Sequence, residues 1–179
     1  MLAITLIGVF LFAGGIKIRE KISSVILLGI IAVSCNMNKL DYIWHGFHET
    51  NQLPYRFAFI FSFILAVMAY RAYDILTDKG IKLYHLPMLL IGPAAIGVVT
   101  YYSKKAAGEV FNLEDTALKS SLLITGAYIL IIVCMKFIPI KDKKLHTGVM
   151  NVVITGVICV ELSANAVIGV ETVGSSNFG

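Results

Sequence analysis

The chain has 179 residues, of which 58% are hydrophobic and 15% are charged, and its mean hydropathy is +0.82. Soluble domains carry about 25% charged residues, so this composition excludes an ordinary soluble domain and predicts a protein that lies in lipid. The net charge of +4 arises from basic connections between apolar runs. No basic-aromatic motif accompanies that charge, so nucleic acid is not expected as a partner.

Six apolar runs are candidates for transmembrane segments, and the first two are shorter than the usual span of about 20 residues. In chain order they cover residues 1–15, 22–37, 56–76, 84–103, 119–138 and 148–170. Backbone in lipid must satisfy its own hydrogen bonds, and the runs lack the polar alternation of barrel strands. We therefore expect an all-α fold, a polytopic integral membrane helix bundle of about six transmembrane helices, forming a single domain over residues 1–179.

The distribution of Lys and Arg predicts the orientation of these helices. Ten of the 15 basic residues fall in the connections around 16–21, 71–83 and 136–146, and five fall on the opposite side. Cytoplasmic connections are enriched in Lys and Arg, so the first side, face A, is predicted to be cytoplasmic. The other side, face B, is then external and includes the loops 37–55 and 104–118 and the C-terminus.

A polar phrase, "WHGFHETNQLPYRFAFIFSF" (44–63), leads into the third run on the external side. Its candidate ligand-binding residues are Trp44, His45, His48, Asn51 and Arg56. An Arg at the lipid phosphate level can hold a phosphate through two hydrogen bonds, the His pair can transfer protons, and Trp can stack on a sugar. The alternative is an interfacial anchor, because Trp, Tyr and Arg are ordinary at a membrane boundary.

Glu161 is a second candidate, since an ionisable group deep in a membrane helix is costly and usually functional. Asn165 lies four residues on and therefore projects from the same helix face. The alternative interpretation is that both bind a neighbouring helix.

Two further expectations concern structure. Arg71 and Asp74 are expected to form an i,i+3 pair, and small residues are expected to let helices pack closely. Those small residues are Gly92, Ala94, Ala95, Gly97 and Gly156.

Two phrases resemble the bacterial YfhO family of polytopic membrane proteins. The first, "WHGFHETNQLPYRFAFIFSFILAVMAYRAYDIL", contains the Trp-His-Gly-Phe phrase, an Asn and the Pro-Tyr-Arg that leads into a Phe/Ser-rich helix. The second, "CVELSANAVIGV" (159–170), is similar to the family's Glu-plus-Asn phrase. Members of the family are several times longer than this chain, which is therefore expected to be an internal fragment of a longer protein.

The resemblance implies a GT-C-like glycosyltransferase in the bacterial cytoplasmic membrane. Such proteins take a sugar from a polyprenyl-phosphate carrier at the outer face and transfer it to a cell-envelope polymer such as teichoic acid. The partners implied are membrane lipid, the lipid-linked sugar and the polymer acceptor. The usual catalytic carboxylate lies in the first external loop, which is expected upstream of Met1, so no catalytic residue is assigned. No cofactor and no metal are expected.

The sequence is also compatible with two other functions. A flippase or permease for a lipid-linked or small solute would use Glu161 as a coupling carboxylate and would need no catalytic base. A non-catalytic assembly subunit is the third interpretation. Transport predicts a polar route from Glu161 to both faces, whereas an enzyme predicts a cavity that opens only outward.

Overall fold

The structure is a computed structural model that describes residues 1–35, 37–44, 46–47, 58–107, 115–138, 140 and 142–174. Seven helices make up most of this part of the chain: α1 Leu2–Phe12, α2 Ile18–Ser34, α3 Asn38–Trp44, α4 Ala58–Asp78, α5 His85–Ala107, α6 Asp115–Phe137 and α7 Lys143–Gly174. The described residues contain no strand. The predicted all-α polytopic membrane architecture is confirmed.

Four helices in the described part of the chain are long and apolar enough to cross a membrane. They cover Phe59–Asp78, His85–Tyr102, Lys119–Phe137 and Lys143–Val167. The first two predicted spans are present as α1 and α2, with 11 and 17 residues. At about 1.5 Å per residue neither reaches the roughly 30 Å of a bilayer core, which is why they fall short of a full span.

The chain divides into two compact units, residues 3–96 and residues 1–2 with 97–179. In the first unit, α2 packs on α4, and Met68, Ala72 and Leu76 of α4 are buried on one face. Their spacing of four residues is the apolar stripe of a packed helix.

Helices α1 and α5 approach each other through two glycines in this first unit. A Cβ on Gly8 would collide with the backbone carbonyl of Met88, and one on Gly92 would collide with the carbonyl of Ile4. The earlier residue of α1, Ile4, meets the later residue of α5, Gly92, so the two helices run antiparallel. Gly92 is therefore a close-packing site as predicted.

The prediction of close packing is wrong for Gly97 and Gly156, because a Cβ at either position meets no atom of the described residues within 4 Å. Ala94 and Ala95 are exposed, so they do not support a close helix contact either. Pro93 lies inside α5, and proline is tolerated within membrane helices.

The basic connections of the first unit meet at one end of it. Lys21 Nζ donates hydrogen bonds to the carbonyls of Leu11 and Ala13 at 2.8 and 2.9 Å, and so caps the C-terminus of α1. Lys79, beyond α4, reaches Gly15 in the α1–α2 connection. The connections around 16–21 and 71–83 therefore lie on the same side, as the assignment of face A requires.

An ion pair joins α2 to α4 at the same end. Arg71 Nε lies 2.7 Å from Glu20 Oε1, and its Nη2 lies 3.2 Å from Oε2. The Arg71 hydrogen bond lowers the pKa of the Glu20 carboxyl, which lies in the first turn of α2. The predicted Arg71–Asp74 pair is present at 3.7 Å, but Glu20 is the closer partner.

In the second unit, α6 and α7 form an antiparallel hairpin. Buried residues of α6 recur at helical spacing and lie on the side that faces α7, where Met150 and Ile154 are buried in turn. At the start of α7, His146 Nε2 lies 2.9 Å from the carbonyl oxygen of Met135 in α6. This contact closes the turn between the two helices.

Candidate functional site

The Trp-His-Gly-Phe phrase forms the end of a short helix, α3. Gly46 has φ 67°, and its N–H donates to the Ile43 carbonyl at 3.1 Å, while the Phe47 N–H donates to the Tyr42 carbonyl at 3.0 Å. This pair of bonds is the Schellman pattern, in which a glycine takes the left-handed conformation that ends a helix. The Phe47 ring then contacts Tyr42 edge-on, with centroids 5.9 Å apart, which is the apolar contact that accompanies the pattern.

Of the five ligand-binding candidates in this phrase, Trp44 is the one that the structure describes. It is the last residue of α3 and is 44% exposed, so its indole remains partly accessible. His45, His48, Asn51 and Arg56 lie outside the described residues. Their predicted roles therefore remain predictions.

Glu161 lies on α7, on the face that packs against α6. The buried residues Met150 and Ile154 share that face, because they precede Glu161 by eleven and seven residues, close to whole helical turns. The Glu161 side chain is only 14% exposed. Burial of a carboxylate is costly unless the group is hydrogen-bonded, so Glu161 needs hydrogen-bond donors.

Two donors contact the Glu161 carboxylate, one at each oxygen. The Tyr128 hydroxyl of α6 donates to Oε2 at 2.7 Å, and the N-terminal ammonium of Met1 forms an ion pair with Oε1 at 2.6 Å. An ionised carboxylate offers about four acceptor positions on its two oxygens. The two contacts thus leave about two acceptor positions on the carboxylate.

Asn165 lies one turn beyond Glu161 on α7, as the spacing predicts. Its side chain is exposed and takes no part in the hydrogen bonds to the carboxylate. The structure therefore places both residues on adjoining turns without bonding them to each other.

Tyr128 belongs to this site, and the sequence analysis did not identify it. Its side chain is fully buried, and its ring lies in the aliphatic run "GAYILII" of α6. A buried tyrosine hydroxyl nearly always has a hydrogen-bond partner. That rule, applied to a lone Tyr within an apolar helix, is the signal that predicts a polar group on a neighbouring helix.

Comparison with known proteins adds one finding. No curated protein and no solved structure matches the chain. The sequence model of the family described as "Bacterial membrane protein YfhO" matches residues 1–179, the whole of the sequence. The chain therefore belongs to the YfhO family of bacterial membrane proteins.

Proposed function

We propose that this chain is part of a membrane glycosyltransferase that takes a sugar from a polyprenyl-phosphate carrier. The acceptor is a cell-envelope polymer such as teichoic acid. Membership of the YfhO family supports this proposal, together with the GT-C-like character that the resemblance implies. The protein would lie in the bacterial cytoplasmic membrane, with the loops 37–55 and 104–118 and the C-terminus external.

The observation that carries the proposal is the Glu161 carboxylate, set between two apolar helices with the buried Tyr128 hydroxyl as a donor to Oε2. The Glu161 side chain keeps 14% exposure, so part of its surface is accessible. Carboxylates bind sugars by accepting hydrogen bonds from their hydroxyl groups. Glu161 is accordingly proposed to bind the sugar, with Asn165 contributing its amide.

The polar phrase before α4 is proposed to bind the carrier end of the donor. Arg56 would hold the phosphate through its planar guanidinium, and the exposed Trp44 indole would stack on the sugar or the lipid headgroup. His45, His48 and Asn51 would supply further hydrogen bonds. No catalytic base is assigned to any residue of this chain.

The test is a transfer assay with the purified full-length protein in lipid nanodiscs. Tritiated polyprenyl-phosphate-glucose is the donor probe, with polyprenyl-phosphate-N-acetylglucosamine as the second donor, and teichoic acid is the acceptor. We expect label to appear in the polymer with at least one donor. Absence of transfer with both donors would contradict the proposal.

The same protein in sealed vesicles distinguishes transfer from transport. A flippase would move the labelled carrier between leaflets without any acceptor, and it would leave the polymer unlabelled. That result would replace the glycosyltransferase by the transport function. Glu161 would then be a coupling group, since intramembrane carboxylates are equally suited to that task.

A further inference from the structure

Tyr128 has a geometry that suits it to hold another group in place. Its ring is fully buried. It belongs to a stripe of buried α6 residues at helical spacing: Thr125, Tyr128, Ile132 and Met135. A tyrosine side chain has two rotatable bonds, and close packing around a fully buried ring restricts both of them. The phenol oxygen is therefore a fixed point between α6 and α7.

Glu161 has the opposite character. Its side chain has three rotatable bonds, and it would lose considerable conformational freedom on being fixed by itself. The hydrogen bond of 2.7 Å from Tyr128 to Oε2 fixes one oxygen, and this bond is of the strong, charge-assisted kind when the carboxylate is ionised. The buried tyrosine thereby sets the position of Oε2, while Oε1 contacts the Met1 ammonium.

We infer that Tyr128 is the positioning residue of Glu161: its hydroxyl holds the carboxylate in the orientation in which the remaining acceptor positions meet the hydroxyl groups of a sugar. The sugar as the ligand rests on the proposed function. The positioning itself rests on the hydrogen bond and on the burial of the ring. Tyr128 touches no ligand and acts through Glu161.

The functional test compares Tyr128→Phe, Glu161→Gln and the double variant in the transfer assay with polyprenyl-phosphate-glucose. Loss of a hydrogen bond to a charged group predicts a transfer rate about tenfold lower for Tyr128→Phe, counted per folded molecule. In the Glu161→Gln background the same change is expected to have no further effect. Tyr70→Phe, which removes an exposed hydroxyl from α4, is the matched control and should transfer at the wild-type rate.

Two results of that assay would overturn the inference, provided that Glu161→Gln itself lowers transfer. One is a wild-type rate for Tyr128→Phe. The other is an equal loss from Tyr128→Phe in both backgrounds, because Tyr128 would then act independently of Glu161. A purely structural role would lower the melting temperature and the folded yield and leave the rate per folded molecule unchanged.

Infrared spectroscopy tests the positioning without any activity. The difference spectrum between wild type and Glu161→Gln isolates the carboxylate band of Glu161, and Tyr128→Phe is expected to shift that band while Tyr70→Phe leaves it in place. An unshifted band would overturn the inference. If Glu161→Gln transfers at the wild-type rate, or if wild type shows no transfer, the proposed function fails and the band alone decides whether Tyr128 positions Glu161.

Discussion

The residues of the Trp-His-Gly-Phe phrase divide into two groups by what they do. Gly46 and Phe47 form the end of α3, and the hydrogen bonds that do so are made by backbone groups. The cap requires a glycine and an apolar side chain after it, but no His and no Arg. The backbone cap therefore does not explain the polar side chains of the phrase, and a substitution series at Arg56 distinguishes ligand binding from anchoring at the membrane surface.

Arg56→Lys is expected to weaken binding of polyprenyl-phosphate-glucose by about tenfold, and Arg56→Ala by about a hundredfold. Lys keeps the charge but loses the planar fork that gives two charge-assisted hydrogen bonds to phosphate. The measurement is binding of the tritiated donor to folded variants in matched detergent. Equal affinity for wild type, Lys and Ala would identify Arg56 as an interfacial anchor, because an anchor makes no contact with the donor. Lys reaches the headgroups nearly as well as Arg and would keep the anchoring role.

Single residues were predictable where one local rule identified them. Glu161 is evident in the sequence because an ionisable residue in an apolar run is rare, and the structure gives it two hydrogen-bond donors. Tyr128 was missed because its partner lies 33 residues away on another helix. For the same reason the i,i+3 rule paired Arg71 with Asp74, whereas the closer partner is Glu20, which lies 51 residues away.

At the scale of the elements, the α1–α5 crossing depends on the absence of two side chains. Gly8→Ala would place a methyl group against the Met88 carbonyl, so the helices would have to separate. Overpacking of this kind costs about 1–3 kcal/mol of unfolding free energy. We expect a lower unfolding midpoint in detergent for Gly8→Ala.

Gly156→Ala is the matched control, because a Cβ there meets nothing within 4 Å in the described part of the chain and the residue lies inside α7. Its unfolding midpoint should stay level or rise slightly, since Ala favours a helix over Gly by about 1 kcal/mol. Equal losses in the two variants would show that the α1–α5 contact is not close. An unchanged midpoint for Gly8→Ala would show the same.

The long helices were predictable from apolar length, and their ends fall within a few residues of the predictions for α4, α5 and α6. The seven-residue helix α3 was not predicted, because its polar surroundings resemble a loop. Gly46, two residues after Trp44, was the available signal, since glycine is common just beyond the end of a helix. Which glycines pack closely was not predictable either, because that depends on which helix faces each one.

At the scale of the whole molecule, the central question is which side of the membrane carries the polar phrase. Ten basic residues on face A against five on face B predict that face A is cytoplasmic. Single cysteines introduced by Thr50→Cys and Asp142→Cys, in a background without the three native cysteines, test this directly. A membrane-impermeant thiol reagent added to intact cells should label position 50 and should not label position 142.

The reverse labelling pattern would invert the orientation, and the donor site would then face the cytoplasm. Labelling at both positions in intact cells would indicate leaking membranes, so a cytoplasmic marker protein with a reactive cysteine is included as the control. The marker should remain unlabelled until the cells are opened. Position 142 should then become labelled together with it.

The central claim, that Glu161 binds the transferred sugar, is tested most directly by the transfer rate of Glu161→Gln per folded molecule. The account predicts that this variant loses transfer of the polyprenyl-phosphate-linked sugar far more than it loses folded yield. Glu20→Gln is the matched control, because it removes a carboxylate that pairs with Arg71 in the first unit, and it should lower yield without changing the rate per folded molecule. Transfer by Glu161→Gln that falls only in step with its folded yield would contradict the account and leave Glu161 as a structural link between α6 and α7.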